Sequence, residues 1–484
     1  MQSSKAKRIA VFVYDGEESS TLLWQLGTAL RSIGHEVIGI DYWLTPTSEP
    51  SGTGTAWDAR ISLSDQGIHS IYRPSRAEYL RLCGDDIDFP ACMQHVFLEH
   101  GMYEGRDFLY MDSAFYREHY GFAYRAEQLL RALRPEVAII QQGSRPVPAI
   151  IAAKCCQLAI PFLILEGPFF AGHFLLDAHG MHFFPGLSRI DRFWPQKANQ
   201  PLTEAQQVRI REFVARWKGD RASKYEQHTS SEELERLNQF LQPGERLVVL
   251  PDQIPGDASV VTGLGRFGSQ REFLEFWVNK ITPGWKLVIK AHPKSKEPEA
   301  LNSLARDNVM IARQLSIHDL FVRASIVTTM SSNVGFEALL YGKPVVTGGA
   351  PHYARRGFTI DLRTTMLTGF DLSAAAAFQP PEELFERYAH HIIFEYLIRE
   401  ADLDALDRRI AEADATTWSP ESRRAPFASA YPRFARKFLD LIDRYQHFAL
   451  LGLPHEECLV RASPAGAVHR GSLSGPGATL ASSG

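Results

Sequence analysis

Four short segments of this chain carry residues whose types and spacing could do chemistry, and each stands where an apolar run gives way to a loop. The first is Lys290-Ala-His-Pro-Lys294, at the end of a strand-like run. If extended geometry persists, positions 290, 292 and 294 share one face, and three potential cation donors converge. That set suits a diphosphate or phosphodiester, and Pro293 interrupts the ladder where a solvated strand end would otherwise continue. The second is Met330-Ser-Ser-Asn-Val-Gly-Phe-Glu337. At a helix start, free amides and the hydroxyls of Ser331 and Ser332 stabilise phosphate, and Gly335 permits close approach. Glu337 has the chemistry to accept hydrogen bonds from ribose hydroxyls, and a plain Ser/Asn cap with an acid in the first turn is the competing account.

The other two segments bring carboxylates. In Leu250-Pro-Asp-Gln-Ile-Pro-Gly-Asp257 a strand gives way to a loop that can present Asp257 as nucleophile or base, although Pro-Gly-Asp is also good turn material. In Leu165-Glu-Gly-Pro-Phe-Phe170 the acid is Glu166, at a strand end in the other half of the chain. One carboxylate on each side of a cleft is what group transfer through a covalent intermediate requires, one attacking and the other serving as acid and base. Arg145, after Gly143, is a cation for a substrate carboxylate or an ordinary surface arginine. His173, Asp177, His179 and His182 have mixed spacing that fits no standard metal site, so His173 reads as part of a substrate-lining loop. Gly263, Gly265 and Gly268 match G-x-G-x-x-G but lie well beyond the strand end, and read as a loop.

These segments need a scaffold that gathers strand ends. Arg8 to Val13 reads as a buried strand, Ser20 to Ile33 as a helix ending at Gly34, and Glu36 to Tyr42 as a second strand. Val137 to Gln141, Pro148 to Leu158 and Phe162 to Leu165 repeat the β-α-β theme, with a long amphipathic helix at Phe115 to Leu133 before them. Residues 1–225 are thus one α/β domain, and the polar run Arg221 to Glu232 is the linker. A new alternation follows, with strands at Leu247 to Leu250, Leu287 to Ile289, Val309 to Ile311, Ile326 to Thr328 and Val345 to Thr347. Strands alternating with helices imply a parallel, doubly wound sheet that binds ligands at its carboxyl edge. The second domain is expected over 233–375, helices over 376–452 (Glu382 to Arg399, Leu403 to Ala413, Phe427 to Leu451), and a disordered tail over 463–484.

Composition is that of a globular protein: 484 residues, 45% hydrophobic and 22% charged, enough for two or three domains. With 52 Lys and Arg against 56 Asp and Glu, the net charge of -4 gives no broad positive field for nucleic acid. Five cysteines without a C-x-x-C pair fit a reducing cytoplasm. The polar N-terminus lacks the apolar core of a signal peptide, and no run of about 18 apolar residues suggests a membrane span, so any meeting with a membrane is expected at its surface.

Taken together, Pro-Asp-Gln-Ile-Pro-Gly-Asp257, Lys290-Ala-His-Pro293 and Ser331-Ser-Asn-Val-Gly-Phe-Glu-Ala-Leu-Leu-Tyr-Gly-Lys-Pro344 resemble, in order and spacing, the bacterial capsule polysaccharide biosynthesis family of β-Kdo glycosyltransferases. The resemblance is strong over about 245–360 and looser over 135–170. It implies a GT-B fold, two Rossmann-like domains facing across a cleft, with CMP-Kdo as donor and a lipid-linked or saccharide acceptor. Catalysis is implied to be retaining and metal-independent, with no cofactor. It implies Asp257 as nucleophile and Glu166 as acid/base. Gln253, Lys290, His292, Pro293, Lys294, Ser331, Ser332, Asn333, Gly335 and Glu337 are then the nucleotide-sugar site. The expected location is the cytoplasmic face of the inner membrane, beside a polysaccharide export complex. This chain departs from the family pattern around Glu166, where Glu-Gly-Pro replaces an acidic or Asn residue before the glycine. A nucleotide-sugar epimerase, a CDP-polyol phosphotransferase and a non-catalytic export scaffold are the alternatives on the same fold.

Overall fold

Runs such as Ile-Ala-Val-Phe-Val at 9–13 and Val-Ala-Ile-Ile at 137–140 have no polar alternation, so both faces of the strands they form must be covered. The computed structural model describes residues 5–13, 17–41, 56–62, 92, 113–143, 145–180, 188–225, 227–255, 257–261, 267, 269–295, 298–362, 365 and 367–413. In it, β1 (Arg8–Val13), β2 (Glu36–Asp41), β3 (Ala59–Ser62), β4 (Val137–Gln141), β5 (Phe162–Glu166) and β6 (His173–Asp177) build a first sheet. Its order is β6-β5-β4-β1-β2-β3, parallel except for the antiparallel β5–β6 pair. The second sheet joins β7 (Arg246–Pro251), β8 (Trp285–Lys290), β9 (Val309–Ala312), β10 (Ala324–Thr329), β11 (Val345–Thr347) and β12 (Ile360–Asp361). All its pairs are parallel, in the order β12-β11-β10-β7-β8-β9. Each order is that of a doubly wound Rossmann sheet, with its reversal beside the first strand of the sheet.

Local signals set the helix ends. Pro146 opens Pro146–Gln157 at the position where a missing amide costs nothing. Thr203 and Gln206 close a reciprocal capping box on Glu204–Asp220, and Arg221 ends that helix in the left-handed region at φ 52°. Gly34 ends Glu17–Ser32 at φ 95°.

Two crossings tie the halves together. The helices Arg189–Lys197 and Glu204–Asp220 bury Ile190, Trp194, Ile210 and Trp217 in one apolar cluster with Leu247 and Val249 of β7. The chain then returns: β13 (Ile398–Arg399) pairs antiparallel with β6 and extends the first sheet. The continuous helix expected from Glu382 to Arg399 therefore breaks. It is α-helical over Glu382–His391, makes one wide turn over Ile392–Tyr396, and becomes strand. The wide turn carries the Tyr396 hydroxyl to Asp177 in the first sheet, at 2.8 Å, a tertiary bond that helical periodicity does not foresee. The expected helix at Phe427 to Leu451, the tail 463–484 and the glycines at 263, 265 and 268 lie outside the described residues. No helix among the described residues is long and apolar enough to cross a membrane.

Candidate functional site

The carboxyl ends of β4 and β5 in the first sheet and of β7, β8 and β10 in the second supply the site-like residues. Glu166 closes β5 and is buried, with Oε1 lacking a hydrogen-bond partner among the described residues. Burial first, and then the charge of Asp257, pushes its carboxyl up to about 8, against the opposing pull of a Gly143 backbone hydrogen bond and of Lys224. At neutral pH Glu166 is therefore a proton donor. Asp257 belongs to the other half of the chain and is exposed. Its Oδ1 accepts from the Ser259 amide at 2.8 Å and hydroxyl at 2.6 Å, which starts the short helix Ala258–Val261 and leaves Oδ2 with no hydrogen bond from the described residues. The turn reading and the site reading of Asp257 are thus both satisfied, one by each oxygen.

Gln253 braces the site floor. Its Oε1 accepts from the Ser331 amide at 3.0 Å and its Nε2 donates to Ser331 Oγ at 3.2 Å, so the loop after β7 is tied to the loop after β10. This corrects the expected cradle of free amides. Besides Ser331, the amides of Ser332, Val334 and Gly335 are held by Thr329 Oγ1, Ser332 Oγ and Ser332 O. The hydroxyl hydrogens of Ser331 and Ser332 remain for a ligand there. Gly335 also differs from expectation: a Cβ at that position would lie 2.0 Å from the Tyr353 hydroxyl, so the glycine admits a buried tyrosine and not a ligand.

The basic segment is rearranged as well. Extended geometry ends at Lys290, because the Ser295 amide donates back to the His292 carbonyl at 3.0 Å and turns the chain over Pro293. Lys290 is buried and donates to the carbonyls of Ala291 at 3.0 Å and Arg313 at 2.9 Å. His292 is neutral, not cationic: burial, with Lys224, Lys290 and Lys294 around it, pushes it down to about 4 against the pull of Asp257. Its Nδ1 accepts from the Lys294 amide at 3.1 Å, which fixes the proton on Nε2 as a donor. Lys294 is exposed, with Nζ 5.2 Å from the Tyr225 ring centre.

Glu337 is buried between Ser223 (3.1 Å) and Asn333 (3.3 Å), and burial, opposed by those two hydrogen bonds, pushes its carboxyl up to about 7. Asn333 also donates to the Phe169 carbonyl at 3.1 Å, and Phe169 stacks on His352 at 4.3 Å, so residues 166–170 are fastened to the second domain. Arg145 is the N-cap of Pro146–Gln157 at the end of β4, half-buried. His173 begins β6, with Nδ1 2.9 Å from the Ala171 carbonyl, and backs the Phe170 ring. The proposed companion Asp177 accepts from the amides of His179 and Arg189 and from Tyr396, while His182 lies outside the described residues.

Sequence reasoning missed Ser223, Lys224 and Tyr225, which fell within the polar run assigned as linker. Ser223 bonds Glu337 and lies 2.9 Å from His318 Nε2, Lys224 reaches Gly167, and Tyr225 stands edge-on to His292 at 5.7 Å. The available signal was topological: a linker between two sheets whose carboxyl ends face each other must run beside the cleft.

Two doubly wound sheets, facing carboxyl ends and a C-terminal return to the first sheet define a GT-B fold. Residues 197–396 match the family described as "Capsule polysaccharide biosynthesis protein". Among curated proteins it is 28% identical over 226 residues to Protein FixF of Sinorhizobium fredii, covering 45% of this chain and 53% of that protein. It is 31% identical over 121 residues to the capsule polysaccharide modification protein LipA of Neisseria meningitidis serogroup A, covering 24% of this chain and 17% of LipA. The chain thus spans about half the length of FixF and a smaller share of LipA. Among solved structures, two of Thermosulfurimonas dismutans KpsC align. The beta Kdo 2,7 transferase has 18% identity and a TM-score of 0.39, over 60% of this chain and 89% of that one. The beta Kdo 2,4 transferase has 19% identity and a TM-score of 0.42, over 57% and 87%.

Proposed function

We propose that the chain is a retaining glycosyltransferase that moves Kdo from CMP-Kdo onto a lipid-linked or saccharide acceptor in the assembly of a surface polysaccharide. The supporting observation is a buried, protonated Glu166 on the first sheet within electrostatic reach of Asp257 from the second, whose charge helps to raise its carboxyl. The motif resemblance supplies the donor class. In this reading Asp257 Oδ2 attacks the anomeric carbon, and the bond to the CMP phosphate breaks with its electron pair leaving on the phosphate oxygen. Glu166 gives its proton to that oxygen. The resulting Glu166 carboxylate then takes the proton of the acceptor hydroxyl as that oxygen displaces Asp257, which restores both groups and gives net retention. His292 Nε2–H, the hydroxyls of Ser331 and Ser332 and the exposed Lys294 face the phosphate, and Glu337 receives the ribose hydroxyls. The reading draws on no metal ion or cofactor and places the reaction at the inner face of the cytoplasmic membrane, where a lipid-linked acceptor is met.

The test is CMP release from CMP-Kdo in the presence of lipid-linked and saccharide acceptors. Asp257→Ala should abolish release, and mass spectrometry of Glu166→Gln should trap a sugar ester on Asp257. Release that continues unchanged in Asp257→Ala refutes the mechanism.

A further inference from the structure

The chain crosses from one domain to the other through Ser223-Lys224-Tyr225, and both neighbours of Lys224 are pinned to the second domain. Ser223 Oγ holds Glu337, and the Tyr225 ring lies between His292 and the ammonium groups of Lys224 (5.3 Å) and Lys294 (5.2 Å). The Lys224 side chain reaches the other way, over Gly167, the residue after Glu166. A Cβ on Gly167 would stand 2.9 Å from Lys224 Nζ, so the absent side chain is what lets the ammonium lie there. The group is exposed, and no carboxylate among the described residues pairs with it at ion-pair distance. Of the charges acting on Glu166, Lys224 is the cation, and it acts on His292 and Glu337 as well. It therefore stands among the proposed acid, phosphate and ribose groups, over the residue that follows the acid. Lys290 is engaged by two carbonyls, and Lys294 lies on the His292 turn.

We infer that Lys224 is the specificity determinant for an acidic donor sugar, pairing with a carboxylate borne beside the anomeric carbon. The inference rests on the glycosyltransferase reading above. An exposed ammonium with no ion-pair carboxylate among the described residues, beside two buried carboxyls, suits an anionic ligand group, and the donor carboxylate would lie next to the carbon that Asp257 attacks. Gly167 keeps the space open for it.

Binding of CMP and of CMP-Kdo to the wild-type chain, Lys224→Gln, Lys224→Arg and Gly167→Ala, with donor KM and kcat, tests this. Lys224→Gln should weaken CMP-Kdo by about 10-fold or more, the loss expected for one charge-assisted hydrogen bond, while CMP affinity stays within about twofold. Lys224→Arg should recover part of the loss. Gly167→Ala should reproduce part of it, and its effect should vanish in the Lys224→Gln background, since it acts by displacing the ammonium. Equal losses for CMP and CMP-Kdo, or none, overturn the inference while leaving the transferase reading intact. A wild-type chain that neither binds nor turns over CMP-Kdo overturns both.

Discussion

Replacing Glu166 with Gln should change how stability depends on pH, in a direction that follows from burial alone. The folded chain holds this carboxyl at about 8, against an ordinary value of 4.5. Between those values the folded state keeps a proton that the unfolded state has released, so the folded state binds more protons and stability falls as pH rises. The contribution is complete below the unfolded pKa and is lost as pH climbs through the folded one. With 1.36 kcal/mol per pKa unit, wild type should lose about 1.4 kcal/mol per pH unit from this residue, or about 2 to 3 kcal/mol between about pH 5.5 and pH 7.5. Glu337, pushed up to about 7, contributes with the same sign but is present in both proteins and cancels in the comparison. Glu166→Gln carries no proton to lose, so its stability should be flatter by that amount and should overtake wild type at the alkaline end. Urea unfolding at several pH values, read by tryptophan fluorescence, gives both curves. Parallel curves would mean that water or a rearrangement solvates the carboxyl, and the assignment of Glu166 as a neutral acid would fail.

Four further outcomes are expected. Gly335→Ala should destabilise by about 2 kcal/mol or more, because its Cβ must displace the buried Tyr353 hydroxyl from Ser332 O, and a melting temperature equal to wild type would count against that contact. Gln253→Ala should cost about 1 to 3 kcal/mol by leaving the Ser331 amide unpaired, and should weaken CMP binding as the loop loosens; calorimetric titration checks the second part. His292 is held near 4, so CMP affinity should show no histidine-like break between about pH 5.5 and 7.5, and a step near pH 6.5 that disappears in His292→Gln would refute the neutral donor. Lys154→Met alone should cost about 1 to 3 kcal/mol by taking the buried ammonium from Glu127, which keeps Arg131 at 3.0 Å, whereas pairing it with Glu127→Leu should return most of that in denaturant unfolding.

The sheets were legible because their strands are continuous apolar runs with no competing period: Val137–Gln141 and Val345–Thr347 were read with their observed bounds. The two-residue strands Ile360–Asp361 and Ile398–Arg399 were not, since so short a segment has no pattern and exists through its partner. In the site, residue types and strand-end placement pointed to Glu166, Asp257 and His292, but charge state and engagement did not follow from type. His292 reads as a cation until burial and the neighbouring ammonium groups are counted, and Lys290 reads as a ligand donor until the Ala291 and Arg313 carbonyls are found on its ammonium. Gly335 reads as a gap for phosphate until Tyr353, 18 positions along, is seen to fill it.

The same logic explains why the two carboxylates meet such different surroundings. Glu166 ends a central strand, where β4 and β6 flank it and the returning segment delivers Tyr396 to Asp177 beneath it, so water is excluded and the neutral form is favoured. Asp257 ends an exposed loop, and the first helical turn after it uses one of its oxygens. Burial is the larger cause at Glu166 and the charge of Asp257 adds to it, so the effect depends also on how the two sheets are clamped. Asn333 on the Phe169 carbonyl, Arg356 paired with Asp191, and the linker bonds of Ser223 hold the strand ends of both domains in register. The first domain's burial thus supplies most of what keeps Glu166 neutral, and the crossings that join the domains bring up Asp257, whose charge supplies part of the rest.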